Sequence, residues 1–141
     1  MLLKKSLDIK EARAITAKCE EYAIEIDKKV TIAIVDEGGH LILLTRMDGA
    51  PPISVEIALG KSRTAAMARK SSRVYMERIA KGENAVLSLP GLTCMEGGVP
   101  VSYERMCVGA VGVSGAESTE DAMIADAGIK ALFKTFAKDK A

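Results

Sequence analysis

His40 is the sole histidine of the chain, so any Ser-His-Asp or Cys-His arrangement would have to use it. It follows Asp36-Glu37-Gly38-Gly39, which contains two adjacent carboxylates. Neighbours on an extended strand point to opposite faces, a poor geometry for a paired acid and base, and the preference of Asp and Gly for turns explains the tetrapeptide better. His40 then reads as an exposed strand-start residue, with metal or haem ligation as its alternative role. An enzyme built on Asp36, His40, Arg46 and Glu96 would need these side chains to converge on one cleft. No triad or metal motif supports that, so the sequence favours a protein without catalysis of its own.

Anion chemistry has more material. Lys61, Arg63, Arg69, Lys70, Arg73, Arg78 and Lys81 form a dense basic stretch broken by Glu77. The plain reading is a solvated helical face. The sharper one sets Lys61 and Arg63 beside the Gly97-Gly98 loop, where they would hold the carboxylates or phosphates of a small anionic ligand. Gly97 and Gly98 are expected to shape that loop through positive φ or close backbone approach. Arg46, next to the Asp48-Gly49 turn, is expected to pair with a carboxylate, for which Asp36 and Glu96 are the candidates.

The glycines of Gly109-Ala110-Val111-Gly112-Val113-Ser114-Gly115 are spaced by three and no βαβ unit surrounds them, so close helix packing explains them better than a nucleotide loop. Cys19, Cys94 and Cys107 are odd in number and form no CxxC pair. They read as reduced, small apolar side chains.

The elements that must carry these residues follow from periodicity. Apolar positions from Leu7 to Ile26 recur at helical spacing, predicting an amphipathic helix from about Ser6 to Asp27. The β-branched run Val30–Val35 and the run His40–Thr45 predict a hairpin around Gly38-Gly39. A helix from Ser54 to about Arg69 is thin where Gly60 and Ala58, Ala65, Ala66 and Ala68 lie, and so packs close to a neighbour. A shorter helix follows from Ser72 to Lys81, capped by Ser71 or Ser72 and stopped by Gly82. Between Glu83 and Gly98, Pro90-Gly91 and Gly97-Gly98 mark turns around Leu92–Met95, a shaped loop with at most a short strand. Val99–Tyr103 and Met106–Ser114 form a second hairpin, with Pro100 at a strand start or edge. Ser118-x-x-Asp121 resembles a capping box opening a last helix through Phe136.

The 141 residues fit one domain, 1–141, with a single core. A net charge of +1, no Trp, two Phe and three Tyr give neither the field nor the stacking platforms for nucleic acid. No apolar run approaches the ~20 residues that cross a bilayer. Charges fill the N-terminal stretch where a secretory core would lie, so a cytoplasmic protein is expected.

The strings Val35-Asp36-Glu37-Gly38-Gly39-His40, Arg46-Met47-Asp48-Gly49-Ala50-Pro51, Gly60-Lys61-Ser62-Arg63-Thr64-Ala65, Leu89-Pro90-Gly91, Glu96-Gly97-Gly98-Val99-Pro100 and Val108 to Gly115 occur in one order. Together, over about Ser6 to Phe133, the chain resembles the GlcG/HbpS-like family, which includes the C-terminal domain of PduO-type corrinoid adenosyltransferases. The resemblance implies an α/β protein of the α+β type, profilin-like, with a five-stranded antiparallel sheet between helices, assembled into homo-oligomers. It implies haem or related tetrapyrrole binding in some members. Others sit among enzymes of glycolate or diol metabolism with no established activity, which gives as the alternative an accessory protein of a diol, glycerol or glycolate pathway. Some haem-binding members use a first-helix histidine, and the matching position here is Tyr22, whose phenolate could ligate iron. The candidate ligand contacts are therefore Tyr22, His40, Arg46, Lys61, Arg63, Thr64, Glu96, Gly97 and Gly98.

Overall fold

The computed structural model describes residues 1–140. Its elements are α1 (Ile9–Glu25), β1 (Thr31–Asp36), β2 (Leu41–Arg46), α2 (Ser54–Ala68), α3 (Arg73–Ala80), a 3-10 turn at Asn84–Ser88, β3 (Gly98–Tyr103), β4 (Met106–Ser114) and α4 (Ser118–Asp139). The four strands form one antiparallel sheet in the order β2-β1-β4-β3.

Strand alternation sends side chains to two different layers. Ile32 and Ile34 of β1 and Val111 and Val113 of β4 enter the main core with Ile15 and Cys19 of α1 and Ile124 and Ala125 of α4. On the other face, Val35 and Ala110 meet Ala65 and Ala66 of α2. Small residues on both sides let α2 approach the sheet closely. A Cβ on Gly112 would collide with the Ala58 carbonyl oxygen and the Ser62 amide of α2. The expected thin helix and the closely packed glycine strand are thus two halves of one contact.

The sheet has four strands, not the five that the resemblance implied. The stretch before β3 makes no ladder. Asn84–Ser88 coils into the 3-10 turn, and the Thr93 amide donates to Thr64 Oγ1 at 2.8 Å instead of to a neighbouring strand. Pro100, which has no N–H to give, lies in the edge strand β3.

Two helix starts also differ from expectation. Ser6 and Leu7 precede α1, because the Leu7 amide donates to the Val108 carbonyl, and Asp8 and Glu11 form the capping box. At α4 the box is Glu117 with Glu120, not Ser118 with Asp121, and Asp121 points inward.

Thr16, on α1, is buried and its Oγ1 has no hydrogen-bond partner among the described residues. An unmet buried hydroxyl carries an unrecovered desolvation penalty. Thr16→Val keeps the β-branch and removes that penalty, so it should stabilise the protein by about 1 kcal/mol. In urea denaturation the midpoint should rise with the slope unchanged.

Candidate functional site

The residues picked from the sequence fall in four separate places. Lys61, Thr64, Gly97 and Gly98 form a packed knot where α2 crosses the sheet. The Lys61 ammonium, 1% exposed, donates to the Val113 carbonyl at 3.0 Å and to Asp121 Oδ2 at 2.9 Å, and Asp121 is 2% exposed. Lys61 is therefore no surface anion contact: its charge is met inside the protein by a carboxylate from the opposite helical layer. Burial holds the Asp121 carboxyl above its ordinary value, outweighing the Lys61 hydrogen bond and charge and the Ala116 amide.

Thr64 Oγ1 donates to the Gly60 carbonyl at 2.8 Å while holding the Thr93 amide. Gly97 adopts φ 128°, and a Cβ on it would stand 2.8 Å from both Lys61 Nζ and the Val113 carbonyl oxygen. A Cβ on Gly98 would collide with the Lys61 carbonyl. Ser72 clasps this knot from the side, its amide donating to the Gly98 carbonyl at 3.0 Å and its Oγ accepting from the Gly98 amide at 2.9 Å. The expected loop shaping by both glycines is present, and what it shapes is packing against α2.

At the β1–β2 turn, Asp36 Oδ1 accepts from the Gly38 and His40 amides at 2.9 Å and lies 3.2 Å from His40 Nδ1. Desolvation pushes the Asp36 carboxyl up, but the two amides and His40 together hold it below its ordinary value. The His40 side chain is 83% exposed, in keeping with the turn reading. Arg63, exposed on α2, lies near this turn, since its Cα would be 3.9 Å from a Cβ on Gly39.

Arg46 ends β2 opposite Thr31, at the other end of β1 from Asp36. It is exposed and forms no ion pair among the described residues, so the partnership expected with Asp36 or Glu96 is absent. Glu96, 8% exposed, precedes the far edge strand β3. Asp36, His40, Arg46 and Glu96 do not converge on one cleft.

Two of the candidate residues line sizeable cavities: Arg46, with Glu20, Asp27, Lys28, Lys29 and Asp48, borders a charged one of about 540 Å³, and Tyr22 lines the other. A groove of about 570 Å³ runs between α1 and α4, within the range that binds cofactors. Tyr22 and Lys18 line it from α1, and Met123, Ala127 and Ala131 are its apolar wall on α4. Lys130, Lys134 and Lys138 line the same groove, with Asp126 as the acidic member. Spaced by four, these lysines form a stripe along α4, and like charges at that spacing repel. Lys18 is bonded to Glu21 at 2.9 Å, whereas the three α4 lysines form no ion pair among the described residues. A bound polyanion would relieve that repulsion. The repeat Lys130, Lys134, Lys138 was visible in the sequence, but its partnership with Tyr22 depends on how α1 packs against α4.

An antiparallel sheet between two helical layers, with this groove on one of them, defines a small α+β protein of the HbpS-like family. The chain belongs to that family: a family model described as "Haem degrading protein HbpS-like" matches residues 7–130. Among individual proteins, it is 43% identical to protein GlcG of Escherichia coli over 114 residues, covering 81% of this chain and 85% of GlcG. Its fold matches the crystal structure of protein ORFY of Klebsiella pneumoniae with a TM-score of 0.88 at 26% identity, covering 94% of each chain. It also matches a double mutant of Streptomyces reticuli HbpS with a TM-score of 0.85 at 27% identity, covering 92% of this chain and 89% of that one. No helix among the described residues is long and apolar enough to cross a membrane.

Proposed function

We propose that the protein binds haem or a related tetrapyrrole in the groove between α1 and α4. The observation that carries this reading is the meeting of a phenol and an unpaired lysine stripe in one groove. Tyr22 would ligate the iron, Lys130 and Lys134 would take the carboxylates, and Met123, Ala127 and Ala131 would lie against the macrocycle. Haem would bring an iron centre whose reactivity depends on its axial ligand and surroundings. The residues present suit it: tyrosinate is an established iron ligand, and lysines at a rim meet carboxylates while leaving the apolar wall free.

Titration with haemin, read at the Soret band, tests this. Wild-type protein should give a saturable shift at one equivalent. Tyr22→Phe should return the band toward the position of free haemin. Lys130→Ala with Lys134→Ala should keep the shifted band but weaken affinity roughly tenfold, about 1.4 kcal/mol. A wild-type spectrum identical to that of free haemin would overturn the reading.

The surface supports homo-oligomerisation as part of the same proposal. Helix α3 has alternating polar and apolar faces but no buried residue, and Leu87, beside it in the 3-10 turn, is 68% exposed. Unpartnered apolar surface of this kind suits a subunit contact. It also favours a second reading, an accessory protein of diol, glycerol or glycolate metabolism that acts through this surface. Sedimentation equilibrium should give a multiple of 15.0 kDa, and the monomer mass at micromolar protein would remove the oligomer.

A further inference from the structure

We propose a second ligand site, independent of the groove reading: a pocket at the β3–β4 end of the α1–α4 layer that takes a compact aryl or branched-alkyl molecule with one uncharged polar end. The pocket measures about 440 Å³. Leu7, Val101, Val108, Leu132, Phe133 and Phe136 give it apolar walls. At 100° per residue, Leu132 and Phe136 lie on the side of α4 away from the lysine stripe and Phe133 on its flank, and the two sites share no lining residue.

The chemistry of the walls restricts the occupant. A hydrogen-bonding group among these aliphatic and aromatic side chains would lose its water without replacement, so the enclosed part of the ligand must be hydrocarbon. Aromatic edges favour a ring there. Tyr103 and Phe136 stand edge to face at 5.8 Å, as do Phe133 and Phe136 at 6.0 Å. This gathers three of the five aromatic residues of the chain at one place.

The mouth decides the polar end. Lys5 and Lys140 lie over the Tyr103 ring at 4.7 and 5.7 Å. Lys5 is already bonded to Glu104, and Glu11 is engaged in the α1 capping box. What is left is Lys140, which donates to Tyr103 Oη at 3.4 Å, beside Asp139. One cation, one anion and a phenol suit a hydroxyl or amide better than a free charge. The competing occupant is the chain's own exposed tip, Met1-Leu2-Leu3, which leads into Lys5 and Ser6 at the mouth.

2-Naphthol is a suitable probe, followed by amide chemical shifts of the full chain. The expected result is saturable shifts confined to residues 5–11, 101–108 and 132–140. Phe136→Ala, half-buried at the wall and so tolerated by the fold, should weaken binding at least tenfold, while Tyr22→Phe leaves it unchanged. Absence of saturation at millimolar 2-naphthol, or shifts mapping to Tyr22 and Lys130, would overturn the proposal. So would binding seen only after removal of residues 1–3, which would assign the pocket to the tip. Haemin titration is unaffected by either outcome, so failure here and failure of the tetrapyrrole reading remain distinguishable.

Discussion

Lys61→Met should cost the protein about 3–5 kcal/mol, a large share of the stability of a domain this size, because it leaves the Asp121 carboxylate buried without its cation. Adding Asp121→Leu in the same chain should recover most of that loss, since a buried ion pair and well-packed apolar side chains of similar volume are often close in stability. Urea midpoints of the two single variants and the double variant measure the coupling directly. Acidity gives a further check. Burial raises the Asp121 carboxyl above its ordinary 3.8, so its contribution to stability is present below that value and is lost as pH rises through the folded value. Without Lys61 the folded value climbs further, and the Lys61→Met penalty should be smaller at about pH 4 than at about pH 7. A penalty that does not change with pH, or a double variant no better than the worse single, would show that the pair is not the source of the loss.

Gly98→Ala should be worse still, costing more than about 4 kcal/mol, because its methyl group would meet the backbone carbonyl of Lys61 and no rotamer can relieve a backbone clash. Gly112→Ala should behave alike, through the Ala58 carbonyl. Gly82→Ala provides the contrast. Gly82 has φ 87° but nothing within 4 Å of an added Cβ, so only backbone strain of about 1 kcal/mol applies. If thermal midpoints of the three variants fell together, the close approach of α2 to the sheet would not be what these glycines secure.

The fold was readable from the chain wherever a local pattern and its tertiary use agree. Val30–Val35 is β-branched and central in the sheet, and Gly60 with its neighbouring alanines announced a helix that packs close. The failures share a cause. Lys61 sits in a run of cations, and nothing local says that one of them turns inward to a carboxylate 60 residues away. Asp121 fitted a capping pattern, yet Glu117 and Glu120 supply the box and release Asp121 for Lys61. Arg46 stood next to a turn that suggested a partner, but strand register sets it at the end away from Asp36. The site was legible only at Tyr22. Its lysines depend on the α1–α4 crossing, a long-range contact with no signal of its own.

The Ser72–Gly98 clasp has a consequence for how the molecule breathes. Between these residues the chain makes an excursion through α3 and the 3-10 turn, and the clasp ties both ends of it to the body. Such a segment can open without disturbing the sheet, so its amides should exchange with solvent through local opening while those of β1 and β4 wait for global unfolding. Lengthening a loop already closed at its base costs little extra entropy. Gly82 and Gly91, each with open space around it, are therefore the points where foreign sequence can be inserted, or the backbone nicked, with the sheet and both helical layers left standing.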